Sequence, residues 1–101
     1  MTTTDRELLE RAAKAAGIEA WRLDAHPQHA LHWDALADDG DALRLAVKLR
    51  MDVNQFQDAV RADYNIDGEW DSASEMHNGD PYAATRRAIV RAAAAMAGEG
   101  E

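Results

Sequence analysis

The sequence predicts an α+β fold in which three helices pack on a small, mostly antiparallel sheet. Three observations carry that prediction. Helix-start signals stand at Thr4, at Asp39 and Asp41, and at Asp80; apolar residues follow each at helical spacing; and the intervening stretches alternate polar with apolar. The helices are expected over about residues 4–16, 39–50 and 80–97, and the strands within 20–33 and 51–72. At 101 residues the chain is read as a single domain, 1–101, able to bury roughly 65% of its unfolded surface.

The first helix opens on a capping box, Thr4-Asp5-Arg6-Glu7. The Thr4 hydroxyl and the Glu7 carboxylate there satisfy each other's free backbone N–H groups. Leu8, Leu9, Ala12, Ala13 and Ala16 recur at helical spacing, and Gly17 supplies a left-handed C-terminal cap. Ala20-Trp21-Arg22-Leu23-Asp24 alternates, Pro27 interrupts, and Ala30-Leu31-His32-Trp33 resumes a short apolar pattern, which reads as two short strands or one hairpin.

Asp39 or Asp41 caps the second helix. From Ala42 to Leu49 only Arg44 and Lys48 are polar, and these share one stripe at i and i+4. A helix apolar on most sides is buried on most sides, so this one is expected at the centre of the core. Met51 to Phe56 alternates, as do Val60, Ala62 and Tyr64, while Phe56 to Val60 also fits a helical turn. A turn at Asn65-Ile66-Asp67-Gly68 leads into extended Glu69-Trp70-Asp71. The last helix starts with Asp80 as cap and Pro81 at its first position, where a missing N–H costs nothing. Tyr82, Ile89, Ala93 and Met96 form its seam, and it is expected to fray into Gly98-Glu99-Gly100-Glu101.

Composition bounds the function. Hydrophobic residues make up 47% of the chain, but 22 of them are alanine, and Leu, Ile, Val and Phe together number 16. The core is therefore thin, which makes a homodimer or a partner complex an expectation. No apolar run approaches the ~20 residues of a membrane span, and Met1-Thr2-Thr3-Thr4-Asp5 has no signal-peptide character, so a cytoplasmic location is expected. The chain has no cysteine, which excludes disulfides and thiolate metal sites. A net charge of −8 disfavours direct binding to nucleic acid. Between Ala62 and Thr85 there is no Lys or Arg, yet Asp63, Asp67, Glu69, Asp71, Glu75 and Asp80 all fall there. Such a run is either a solvated face or a docking surface for a basic partner.

Two segments resemble a known pattern: Trp33-Asp34-Ala35-Leu36-Ala37-Asp38-Asp39-Gly40-Asp41-Ala42-Leu43-Arg44-Leu45-Ala46-Val47-Lys48-Leu49, and Asp80-Pro81-Tyr82-Ala83-Ala84-Thr85-Arg86-Arg87-Ala88-Ile89-Val90. They resemble a family of small tailed-phage and prophage proteins without assigned activity. More remotely, the order is similar to phage NinX-type proteins, with a Trp before an Asx-rich helix start and an Asx-Pro start near the C-terminus. The resemblance covers roughly the C-terminal two-thirds, from which the middle, Arg50 to Asn78, departs. It implies a phage accessory gene acting in the bacterial host cell and a small α+β domain, and it supplies no catalytic residues.

Several constellations carry residue types capable of chemistry. Asp63, Asn65, Asp67 and Asp71 occupy positions 1, 3, 5 and 9 of a calcium loop, with Gly68 at position 6, but position 12 is Ser74 instead of Glu. A β-hairpin turn accounts for the same residues. His26, His29 and His32 are spaced by three, yet Pro27 argues against the helix that would bring them together. Arg86, Arg87 and Arg91, with Arg44 and Lys48, form either a basic patch or internal pairs with the abundant acids. Trp21, Trp33 and Trp70 read as core anchors, and any that is exposed becomes the leading interface residue. No nucleophile has a base at a recognisable spacing and no glycine-rich phosphate loop is present, so neither an enzyme nor a cofactor is expected.

The expectation is thus a non-catalytic phage protein that binds and modulates a host protein, with anti-defence (anti-CRISPR-like) inhibition as its concrete form. Its partner would carry a basic, nucleic-acid-binding surface, met through Asp63, Asp67, Glu69, Asp71 and Glu75. The alternative is a small calcium- or ligand-binding domain centred on residues 63–71.

Overall fold

Helix α4 (Pro81–Met96) is the spine of the protein. The computed structural model describes residues 4–97; the Met1–Thr3 segment and the expected frayed end at Gly98–Glu101 lie outside them. In chain order the other elements are α1 (Asp5–Ala16), α2 (Trp21–Asp24), α3 (Asp39–Lys48), β1 (Asp52–Gln55), β2 (Ala59–Ile66) and β3 (Glu69–Met76). The strands form an antiparallel sheet in the order β1-β2-β3. The fold is α+β, as the sequence predicts.

Alanine explains the position of α4. Ala84, Ala88 and Ala92, one helical turn apart, lie against Val60, Ala62, Tyr64 and Ala73 of the sheet. The neighbouring face, Ile89, Val90 and Ala93, packs with Ala12, Ala13 and Ala16 of α1, Ala42, Leu45 and Ala46 of α3, and Trp33. Methyl groups on both sides let one helix serve two small cores. Each buried CH2-sized group contributes only about 0.8 kcal/mol, so this core is thin, and the few larger side chains in it matter most.

Several expectations are corrected here. The central helix is α4, not α3: α4 makes the main helix contacts with β2 and β3, while α1 and α3 pack against it. A run of apolar residues does not say how many of its sides find neighbours: α3 buries the stripe Ala42, Leu45 and Ala46 and leaves Leu43 and Val47 at 64% and 68% exposure. Tyr82, assigned to the seam of the last helix, is likewise exposed. Residues 20–33 form no strand. They make the single turn α2 and then tight turns, with His29 N–H donating to His26 O and His32 N–H to His29 O. The reason is local competition. His26 Nδ1 accepts the Gln28 N–H and His29 Nδ1 accepts that of Leu31, while Pro27 has no N–H to offer a ladder. Phe56 to Val60 closes a hairpin instead of a helical turn, with Phe56 N–H donating to Ala59 O. Finally, β3 runs past residue 72 to Met76.

The helix ends follow their sequence signals closely. Thr4 and Glu7 form the capping box, Gly17 takes φ 73°, and Asp80 caps α4 by accepting the Ala83 N–H at 3.0 Å. The cap of α3 is Asp38, one residue before the expected pair; its carboxylate accepts the Asp41 N–H at 2.8 Å. Asp41 itself is buried, accepting the Asp34 N–H at 3.0 Å and Arg44 Nη2 at 2.7 Å, and so ties the preceding loop to the helix. The C-terminal end of α3 departs from the usual chemistry. Arg50 holds the left-handed φ of 58° while Met51 N–H donates to Ala46 O. A side chain there is strained, so Arg50→Gly should raise stability by about 1 kcal/mol, read as a higher urea midpoint at unchanged slope.

Two carboxylates at the N-terminal side of the fold are held below the usual carboxylate range. For Glu7 the causes are first the Thr4 backbone N–H and then its hydroxyl; for Asp24 the cause is the two-pronged Arg6 guanidinium. Because both values are depressed in the folded protein, their stabilisation is full above the usual carboxylate range and is lost as pH falls below it. Urea midpoints measured from about pH 7 to about pH 3 should fall, and Asp24→Asn should flatten part of that fall.

Candidate functional site

The β2–β3 hairpin carries most of the acidic run, and its register decides what each acid does. Asp67 and Gly68 form its two-residue turn, with φ of 53° and 86°, between the paired residues Ile66 and Glu69. Positive φ at both central positions is the type I′ geometry that Asp-Gly favours and that matches the twist of the strands. The turn thus sits one residue further along than the sequence reading placed it. Asn65 Oδ1 accepts the Gly68 N–H at 2.9 Å and fixes the tip.

Strand alternation then sorts the side chains. Val60, Ala62 and Tyr64, opposite Glu75, Ala73 and Asp71, point to the α4 side. Arg61, Asp63 and Asn65, opposite Ser74, Ser72 and Trp70, point to the other face of the sheet, away from α4. Asp63 and Asp71 therefore lie on opposite faces, and the four residues of the proposed calcium loop do not converge on one point. Among the described residues no three His, Asp or Glu side chains are grouped to hold a metal ion. His26, His29 and His32 are spent on backbone bonds, with His32 Nδ1 3.0 Å from Ala25 O, and His29 packs edge-on against Trp21.

The five residues expected to bind a partner fall into two groups. Asp63 is neutralised: Arg61 Nε lies 2.7 Å from its Oδ1 and Asn54 Nδ2 2.9 Å from its Oδ2, while the same guanidinium covers the Phe56 ring. Glu75 is bridged by Arg91 and lies 3.9 Å from Arg87. Asp67, Glu69 and Asp71 remain exposed at the tip and form no ion pair among the described residues. Asp71 accepts the neighbouring Ser72 N–H at 2.8 Å. A charge of −3 is thus concentrated within five residues, and Trp70, 59% exposed, stands between Glu69 and Asp71 on the opposite side of the strand and borders the same tip. Trp70 and Trp21 are not core anchors; of the three tryptophans only Trp33 is buried.

The arginines of α4 are committed to the fold. Arg86 reaches Leu36 O at 2.8 Å and Asp39 at 2.7 Å, Arg87 reaches Asp5 at 2.9 Å, and Arg91 bonds Ser74 O as well as Glu75. A cleft between the C-terminal end of α1, the loop after α2, and α3 brings Arg22, His32, Asp41 and Arg44 together. Arg22 Nε donates to Leu31 O, His32 Nδ1 lies 3.0 Å from Ala25 O, and Asp41 accepts from the Asp34 N–H and from Arg44, contacts that brace the cleft walls. Sequence reasoning found the tip acids through the absence of Lys and Arg. It missed Trp70 as their neighbour, although the I′ turn signal at Asp67-Gly68 fixes Trp70 two residues after the turn.

No family model, curated protein or solved structure matches this chain. No helix among the described residues is long and apolar enough to cross a membrane.

Proposed function

We propose that this chain is a non-catalytic accessory protein that binds and modulates a host protein through the tip of its β2–β3 hairpin. The observation that carries this reading is the contrast within one hairpin. Asp63 and Glu75 are neutralised internally, whereas Asp67, Glu69 and Asp71 form no ion pair among the described residues and lie beside the exposed Trp70. Unpaired carboxylates repel one another and give the fold nothing, so their concentration fits a surface complementary to positive charge. An exposed indole next to them supplies an apolar anchor, the kind of residue on which binding energy concentrates. The partner is a protein with a basic surface that otherwise holds nucleic acid, where the carboxylates stand in for phosphates. Given the resemblance of both helix starts to small phage proteins, anti-defence inhibition in the bacterial host is the specific form of this function.

Affinity capture from bacterial lysate tests it. A basic protein should be retained at about 0.05 M salt and released at about 0.5 M, and added nucleic acid should compete with it. Absence of any retained protein across that range contradicts the proposal.

A further inference from the structure

A second surface lies away from the hairpin tip. Leu43 on α3, Val53 on β1 and Tyr82 at the start of α4 border one groove, whose lining includes Ala42, Ala46 and Ile89, and the exposed Val47 stands one helical turn beyond Leu43 on α3. Leu43, Val47 and Tyr82 are each more than 60% exposed. The charged residues in this lining, Asp39 and Arg86, pair with each other at 2.7 Å. The patch is therefore apolar and locally neutral on a protein of net charge −8.

The strand beside it is an open sheet edge. Phe56 N–H donates to Ala59 O, and the register then turns the backbone groups of Asp52 and Asn54 toward β2. The N–H and C=O of Val53 and Gln55 point outward. The opposite edge, β3, is guarded. Arg91 occupies the outward carbonyl of Ser74, and the two central registers of a self-paired β3 set Glu75 directly opposite Glu69 or Asp71. On β1 the two central self-pairing registers place Asp52 opposite Asn54 or Phe56, and neither opposes like charges.

We propose that this face binds a second copy of the chain, β1 pairing antiparallel with β1 across a two-fold axis normal to the sheet and the Leu43/Val47 stripes meeting beside it. The areas agree with this occupant. The four apolar side chains expose roughly 400 Å² per copy, and a standard interface of about 800 Å² per partner is a little over half non-polar. A like-charged copy needs a neutral meeting surface, which this groove provides. Sheet order places β1 at the edge opposite β3, so the pairing leaves both hairpin tips free, and it stands whether or not the tip binds a partner.

Sedimentation equilibrium on the full chain over a wide concentration range, with amide hydrogen exchange, decides the matter. The wild type should reach twice the monomer mass, and the amides of Val53 and Gln55 should become protected as it does. Leu43→Lys with Val47→Lys should weaken association by at least about 100-fold at unchanged circular dichroism, although it lowers the net negative charge and so the general repulsion between copies. A wild type that stays monomeric overturns the proposal and leaves the groove to a different protein. A dimer in which Val53 and Gln55 gain no protection, or one the double variant forms equally well, overturns it too.

Discussion

Trp33→Ala should cost about 3–5 kcal/mol, the largest stability loss expected from any single truncation in this chain. The indole is 3% exposed and sits among Ala12, Ala13, Ala16, Ala35, Ala42 and Leu45. Methyl groups on backbone-bound carbons cannot move to fill the space it leaves. The lost transfer energy and the cavity therefore add. A domain of this size has about 5–15 kcal/mol in total, so the variant should lose a large share of its stability, with a midpoint lower by roughly 15–30 °C. Trp33→Phe should lose clearly less. Urea unfolding followed by circular dichroism checks both. A loss below about 1 kcal/mol for Trp33→Ala would show that the indole is not the filler of the α1–α3–α4 core.

Asp67→Asn, Glu69→Gln and Asp71→Asn together should act on binding and spare the fold. The three side chains are exposed and make no ion pairs among the described residues, so stability should stay within about 0.5 kcal/mol. Removing three charges from one tip should slow association with the basic partner by roughly 10- to 100-fold at low salt and flatten its salt dependence, with dissociation little changed. Trp70→Ala should show the converse pattern. Desolvated contact is lost and dissociation speeds up, by about 30-fold if the indole contributes about 2 kcal/mol. Arg87→Ala breaks the contacts to Asp5 and Glu75, and so should lower stability slightly and leave association unchanged. Surface plasmon resonance on the captured partner separates these effects.

What the sequence made legible is what local chemistry decides. The Thr4 capping box, the Gly17 cap, the Asp80-Pro81 start and the Asp67-Gly68 turn each depend on a few adjacent residues, and each is found at or within a residue of its expected place. Strand β2 alternates because one face of the sheet meets α4, so its pattern was readable as well. Failures came where distant neighbours decide. Trp21 and Trp70 are as apolar as Trp33, but only Trp33 lies where three helices converge. Leu43 and Val47 read as core because nothing in the sequence says that α4, with its alanines, already fills the centre. At residues 26–32 the imidazole nitrogens captured the backbone N–H groups, an interaction that side-chain alternation does not register. The acidic run was visible as a block, whereas its division into paired and unpaired carboxylates depends on strand alternation, which sets Arg61 on the same face as Asp63 and brings Asn54 across from β1, and on Arg91, sixteen residues from Glu75.

Whether the hairpin tip is the binding surface is decided by amide chemical-shift mapping. Uniformly labelled protein would be titrated with the captured host partner, or with its isolated basic domain. The expected result is a contiguous set of perturbed amides from Asn65 to Ser72, together with the Trp70 indole N–H, shrinking as salt is raised. Perturbation confined to Leu43, Val47, Val53 and Tyr82, or to the arginines of α4, with the tip unchanged, would contradict binding at the tip.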